Sequence, residues 1–157
     1  MTPGEPGVAR WVVAWTFLLS LAGLGVSTYL TITHFDPQSM LCSTTGAFNC
    51  AAVTTSPQSY VFGVPVAILG LAHFVVMTAL TSPWAWRSRY RAVHVARFVL
   101  AIAAMAFVLW LVSAELLIID HICEWCTSVH VITFAIFAIM TRVGPNPLGR
   151  SRSTAQQ

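Results

Sequence analysis

Residues 121–141 read HICEWCTSVHVITFAIFAIMT. Two cysteines three apart stand at the head of a run that carries no charged side chain from Thr127 to Thr141. A helix over 122–141 is long enough to cross a hydrocarbon core of about 30 Å at a rise of about 1.5 Å per residue. The Cys-x-x-Cys therefore falls at a membrane boundary, at the N-terminal end of a spanning helix.

The rest of the chain supports a membrane setting. Its 157 residues are 57% hydrophobic and only 8% charged, a composition that excludes an ordinary soluble domain. Three further runs, 11–32, 62–80 and 93–119, are long enough to span. The expected fold is an all-α membrane protein, a four-transmembrane-helix bundle with an extracytoplasmic loop, residues 33–61, between helices 1 and 2. The first span is longer than the apolar core of a signal peptide and has no convincing small-residue cleavage site, so it is expected to stay in place as its own targeting signal.

All eight basic residues are arginines: Arg10, then Arg87, Arg89, Arg91 and Arg97 in or beside the second connection, then Arg142, Arg150 and Arg152. With four spans these regions share one face, which the positive-inside rule makes cytoplasmic. Residues 1–10 and 142–157 become cytoplasmic flanks of one membrane domain, 11–141, the second flank disordered. No Lys or Arg lies in 33–61 or in the turn at Asp120 and His121. The net charge of +3 thus reports topology, and without a basic helix or stripe it does not indicate nucleic-acid binding.

Cys42, Cys50, Cys123 and Cys126 then all face the oxidising side. Two structural disulfides are one explanation for an even count there. A Cys-x-x-Cys closes too small a loop to be a useful staple, whereas a helix N-terminus stabilises a thiolate and makes such a pair good redox hardware. A covalent haem would require His at 127, where Thr127 stands, and a zinc site built with His34 or His121 lacks a second ligand motif.

LCSTTGAFNC at 41–50, SPQSYVFGVPVAILGL at 56–71 and CEWC at 123–126, taken in that order, resemble the vitamin K epoxide reductase family in its bacterial form. The similarity covers about residues 28–141. It implies a membrane thiol oxidoreductase of the bacterial plasma membrane that reoxidises a DsbA-like thioredoxin-fold partner and passes the electrons to a membrane quinone, supporting disulfide-bond formation. Many bacterial members carry the partner as a fused domain. Here GPNPLGRSRSTAQQ at 144–157 is too short for one, so a separate partner is expected. A quinone-linked oxidase of the DsbB type is the nearest alternative by convergence, but its Cys-x-x-Cys lies in the first outer loop, the reverse of the order here. A non-catalytic membrane protein with two static disulfides is the alternative from another class. Abundant Ala and Val, with Arg and no Lys, point to a GC-rich genome and so to menaquinone over ubiquinone, with no metal.

The resemblance also implies roles. Cys42 exchanges with the partner, Cys50 then attacks Cys123, and Cys126, one helical turn deeper, faces the quinone. Ser56 and Ser59 fall where the family has residues near the quinone, Ser59 in place of a longer asparagine, and His130 falls where another member has a tyrosine. Phe62, of the Phe-Gly-x-Pro helix start, is grouped with them.

Five ionisable residues bear on this site. His130 lies on the same helix face as Cys126, and either serves the site or hydrogen-bonds a neighbouring helix. His73, near the middle of the second span, is expected to make a structural hydrogen bond, and Glu115 to reach the membrane interface. Asp120 is a candidate N-cap of the fourth helix, and Asp120 and Glu124 are expected to disfavour a thiolate at the pair. The small residues of SLAGLGVS at 20–27 suit close helix packing, and Trp11, Trp15, Trp84, Trp86 and Trp125 suit an interfacial belt.

Overall fold

The structure, a computed structural model, describes residues 8–42 and 48–145. The first apolar run forms α1 (Arg10–Phe35), and the connection after it contains the short helix α2 (Cys50–Thr54). Two short strands, β1 (Tyr60–Val61) and β2 (Val64–Pro65), pair antiparallel with Tyr60 opposite Pro65. Helix α3 (Val66–Thr81) follows, then α4 (Pro83–Trp86), α5 (Arg91–Ala114) with a π-helical continuation over Glu115–Ile119, and α6 (Glu124–Val143). Expected cytoplasmic segments 1–10 and 142–157 fall outside the described residues except at 8–10 and 142–145. Helix α6 runs past the expected boundary at 141, to Val143.

Among the described residues, three helices are long and apolar enough to cross a membrane: α1, α5 with its continuation, and α6. The second expected span is shorter than its apolar run, because residues 60–65 are drawn into the hairpin. Phe62 and Gly63 take φ of 51° and 80°, two consecutive left-handed residues that reverse the chain. Pro65 has no amide to donate and serves as the N-cap of α3, leaving a helix of 16 residues.

Packing follows the small residues. Val12, Thr16, Ser20, Gly23, Ser27, Leu30 and Thr33 are the buried positions of α1, spaced three and four apart along one face. With no side chain at Gly23, the ring of Phe74 from α3 lies directly against the α1 backbone. Near the other end of α3, the Thr81 hydroxyl meets Ser20 Oγ at 3.1 Å. Phe74 and Met77 join Val12, Ala101, Ile136 and Met140 in a core shared by α1, α3, α5 and α6. Most of the remaining apolar surface faces outward, as at Leu18, Val75, Leu109 and Phe134, the pattern of a protein whose solvent is lipid.

One expectation about the second connection changes, at Trp86, and Arg97 beside it has a structural role. Arg97 lies within α5, inside the expected run 93–119, and is buried. Its Nη1 donates to the Leu80 carbonyl at 3.0 Å and its Nη2 to His94 Nδ1 at 2.6 Å. Arg can only donate, so His94 Nδ1 accepts and Nε2 carries the proton given to the Ser88 carbonyl at 2.9 Å. Trp86 is not in an interfacial belt, since it is buried with the Arg97 guanidinium carbon 3.4 Å from its ring centroid. One side chain thereby ties together the end of α3, α4 and the start of α5.

Candidate redox site

Cys42 and Cys50 are joined in a disulfide, with their Cα atoms 6.1 Å apart. Cys123 and Cys126 carry free thiols. Between the two pairs the backbone makes direct contact. The Asn49 amide donates to the Ile122 carbonyl at 3.1 Å, and Phe48 and Ile122 form an isolated parallel bridge. The same Asn49 caps α2 through its side chain, Oδ1 accepting from the Ala52 amide at 3.0 Å, so Cys50 is the first residue of a capped helix. Cys50 and Cys123 are 1% and 0% exposed and belong to one buried cluster with Leu30 and Val53.

The other end of the outer pair is also held. Trp125, inside the Cys-x-x-Cys, donates from Nε1 to the Leu41 carbonyl at 2.7 Å, while the Leu41 amide donates to the Tyr29 hydroxyl at 2.8 Å. The two aromatic rings lie 4.6 Å apart and so hold both backbone polar groups of Leu41 between α1 and α6. On both sides of residues 43–47 the chain is thus anchored to the segment that carries the second pair.

The N-cap of α6 is Cys123, not Asp120: Cys123 Sγ accepts from the Cys126 amide at 3.3 Å. Asp120 instead closes the π-helical turn in a left-handed conformation, φ 56°. Cys123 precedes the first residue of α6, and its thiol is held below its ordinary pKa first by the hydrogen bond from the Cys126 thiol; burial opposes this and the Cys126 amide assists. The acid that works against this thiolate is Glu115, not Asp120 or Glu124.

Cys126 borders a cavity of about 340 Å³ bounded by α1, α3, α5 and α6 and by the segment after α2. Ser56, Ser59 and His130 line it as well. Phe62 does not: it stands fully exposed at the tip of the hairpin. The Ser59 hydroxyl donates to the Ser56 carbonyl at 2.6 Å and the Ser56 hydroxyl to the Val53 carbonyl at 2.8 Å. Both hydroxyl protons are thus committed to backbone, which leaves oxygen lone pairs as what these serines offer an occupant.

Two lining residues depart from expectation. Glu115 is buried, 6% exposed, and faces the cavity instead of reaching the interface. His73 lines the cavity too and makes an edge contact with Phe74 instead of a hydrogen bond. His130 is buried without a hydrogen-bond partner among the described residues. The sequence signal for these three was there, since ionisable groups in apolar spans are costly, but it does not say which way each one points. A mostly apolar cavity of this size with a few polar groups suits the ring of a lipid-soluble acceptor. Among the described residues no group of three or more His, Cys, Asp or Glu side chains could hold a metal ion.

Comparison with known families agrees with this chemistry. The model of the vitamin K epoxide reductase family matches residues 14–141, which takes in all four cysteines and the whole cavity lining. No curated protein matches the chain.

Proposed function

The chain belongs to the vitamin K epoxide reductase family, a family of membrane thiol–disulfide oxidoreductases, and from that premise we propose that it reoxidises a DsbA-like thioredoxin-fold partner at the expense of a membrane quinone. The partner's thiolate attacks Cys42, and Cys50 leaves as a thiolate. The partner's second thiol resolves that mixed disulfide and departs oxidised, leaving Cys42 reduced. Cys50 then attacks Cys123 in the inner disulfide, releasing Cys126 beside the cavity. Cys42 displaces Cys123, which re-forms the outer disulfide and leaves the inner pair as a dithiol. Two electrons have then moved from the partner to Cys123 and Cys126, and the quinone accepts them in the cavity.

The contact between Asn49 and Ile122 is the observation that carries this reading. It places the residue before Cys50 against the residue before Cys123, and both sulfurs sit in one apolar cluster. Two static disulfides would need no such junction. Ser56, Ser59 and His130 are proposed to orient the quinone, of which menaquinone is the preferred form. Helix α3 is proposed as a fourth crossing, which puts Arg10, Arg87, Arg89, Arg91 and Arg142 on the cytoplasmic side of a bacterial plasma membrane and the four cysteines outside.

The deciding experiment uses purified protein, a reduced thioredoxin-fold donor and menaquinone. Quinol should form with donor oxidation, and Cys126→Ala should abolish quinol formation while Cys42 still forms a mixed disulfide with the donor. Full turnover by Cys126→Ala would remove Cys126 from the route.

A further inference from the structure

Glu115 is an acid where an acid is hard to keep. Its side chain is buried in the wall of the cavity, with no ion pair or hydrogen bond to any described residue. An unpaired charge in such a place is expensive, so a structural role would have to be filled by a partner, and none is present. It is close enough to the inner cysteines to act electrostatically on both Cys123 and Cys126. The backbone there is unusual as well. Glu115 opens the π-helical turn that ends α5, and such turns are rare and frequently found at functional sites. The ionisable groups that share the cavity with it are His34 on α1, His73 on α3, and Cys126 and His130 on α6. No basic residue that could pair with it as Lys or Arg lines the cavity.

We propose that Glu115 is the proton-transferring residue of the inner site, taking a proton from the Cys123–Cys126 dithiol and delivering one to a carbonyl oxygen of the quinone. This rests on the quinone-linked function proposed above. The balance is complete. As the dithiol becomes a disulfide, one S–S bond forms, two S–H bonds break, two electrons pass to the quinone and two protons end on its oxygens. Glu115 accepts one thiol proton and gives up one proton, so the carboxyl finishes as it began and no charge is left in the cavity.

Purified Glu115→Gln, which keeps shape and loses the exchangeable acid, is compared with wild type in three measurements. Quinol formation should fall by about 10²–10⁴-fold, the range for loss of a positioned acid–base group, and should lose the wild-type pH profile. Donor exchange at Cys42 should be unchanged. In the absence of any quinone, oxidising the inner pair with a small disulfide should shift a carboxylic-acid infrared band in wild type that is missing from the variant. Wild type that reduces no quinone would overturn the proposed function itself. Active wild type alongside an equally active Glu115→Gln with the same pH profile would overturn only the role of Glu115. Should Glu115→Gln not accumulate, Glu115→Ala is assayed with added acetate: recovery of the rate supports proton transfer, and no recovery in a folded, exchange-competent protein counts against it.

Discussion

Asn49 and Ile122 are hydrogen-bonded through their backbones at 3.1 Å, which couples the chain just before Cys50 to the chain just before Cys123. Thiol–disulfide exchange requires an attacking sulfur to reach its target along the S–S axis. Free diffusion of a tethered loop would make that encounter rare. On the proposed relay, the bridge and the shared apolar cluster would make it a local rearrangement at a fixed junction.

The first prediction is a trapped intermediate. In Cys126→Ala the Cys123 thiolate can attack Cys50 of the intact outer disulfide, releasing Cys42 as a thiol, and no Cys126 thiol remains to resolve the product, so a Cys50–Cys123 cross-link should accumulate in the oxidised protein without any donor. Mass spectrometry of the non-reduced protein should recover one peptide containing Cys50 joined to another containing Cys123. Recovery of Cys42–Cys50 alone, across a range of redox buffers, would mean that the pairs do not communicate.

Trp125 supplies a second. Trp125→Phe keeps the ring and deletes the donor to the Leu41 carbonyl, a bond worth about 1 kcal/mol. Loosening the segment beside Cys42 by that amount should raise the rate at which a small dithiol reduces the outer disulfide by about fivefold. An unchanged rate would show that the bond does not hold Cys42 in place.

A third tests the α1–α3 contact. A methyl group at Gly23 would run into the buried ring of Phe74, whereas one at Gly25 meets nothing within 4 Å. Gly23→Ala should cost about 1–3 kcal/mol through overpacking. Gly25→Ala should be neutral or slightly stabilising, because it replaces a glycine within a helix. Thermal unfolding of the two variants in the same detergent reads the difference, and equal midpoints would refute the close approach.

Arg97 gives the fourth. Arg97→Met fills similar space but leaves the Leu80 carbonyl and His94 Nδ1 without their buried donor. The expected loss is about 2–3 kcal/mol, against no measurable change for Arg89→Met, which alters an exposed residue of the connection just before α5. Comparable stability of the two variants would reduce Arg97 to a topology signal.

Much of the fold was legible because apolar runs report lipid contact directly. The expected 11–32, 93–119 and 122–141 match helices that differ from them by a few residues at each end. The second run misled because hydrophobicity does not distinguish Phe62 in a reversing turn from Phe62 in a helix; only the paired left-handed angles at Phe62 and Gly63 separate the two. Short elements such as α2 have too few residues to show a period. The cysteine pairs could be read from spacing and order alone. Their junction could not, since a backbone bond between Asn49 and Ile122 leaves no trace in side-chain pattern. Glu115 and His73 stood out as ionisable residues in apolar surroundings, but their inward orientation depends on how α5 and α3 are rotated against their neighbours, which the low amphipathicity of lipid-facing helices conceals.

The 16 residues of α3 rise only about 24 Å, while the hydrocarbon layer is about 30 Å thick. As a crossing helix it is mismatched to an average bilayer, and membranes answer mismatch by thinning locally at a modest cost per ångström. On the proposed crossing, lipid chains beside α3 would shorten or tilt, and the cavity wall that α3 forms would stand in the thinned annulus. A hydrophobic acceptor travelling in the plane of the membrane would meet the protein there with less hydrocarbon between it and the outer surface than elsewhere on the perimeter. On that reading acyl-chain length would become a variable of the reaction proposed above, set by the turn at Phe62 and Gly63 that took the first turn of helix away.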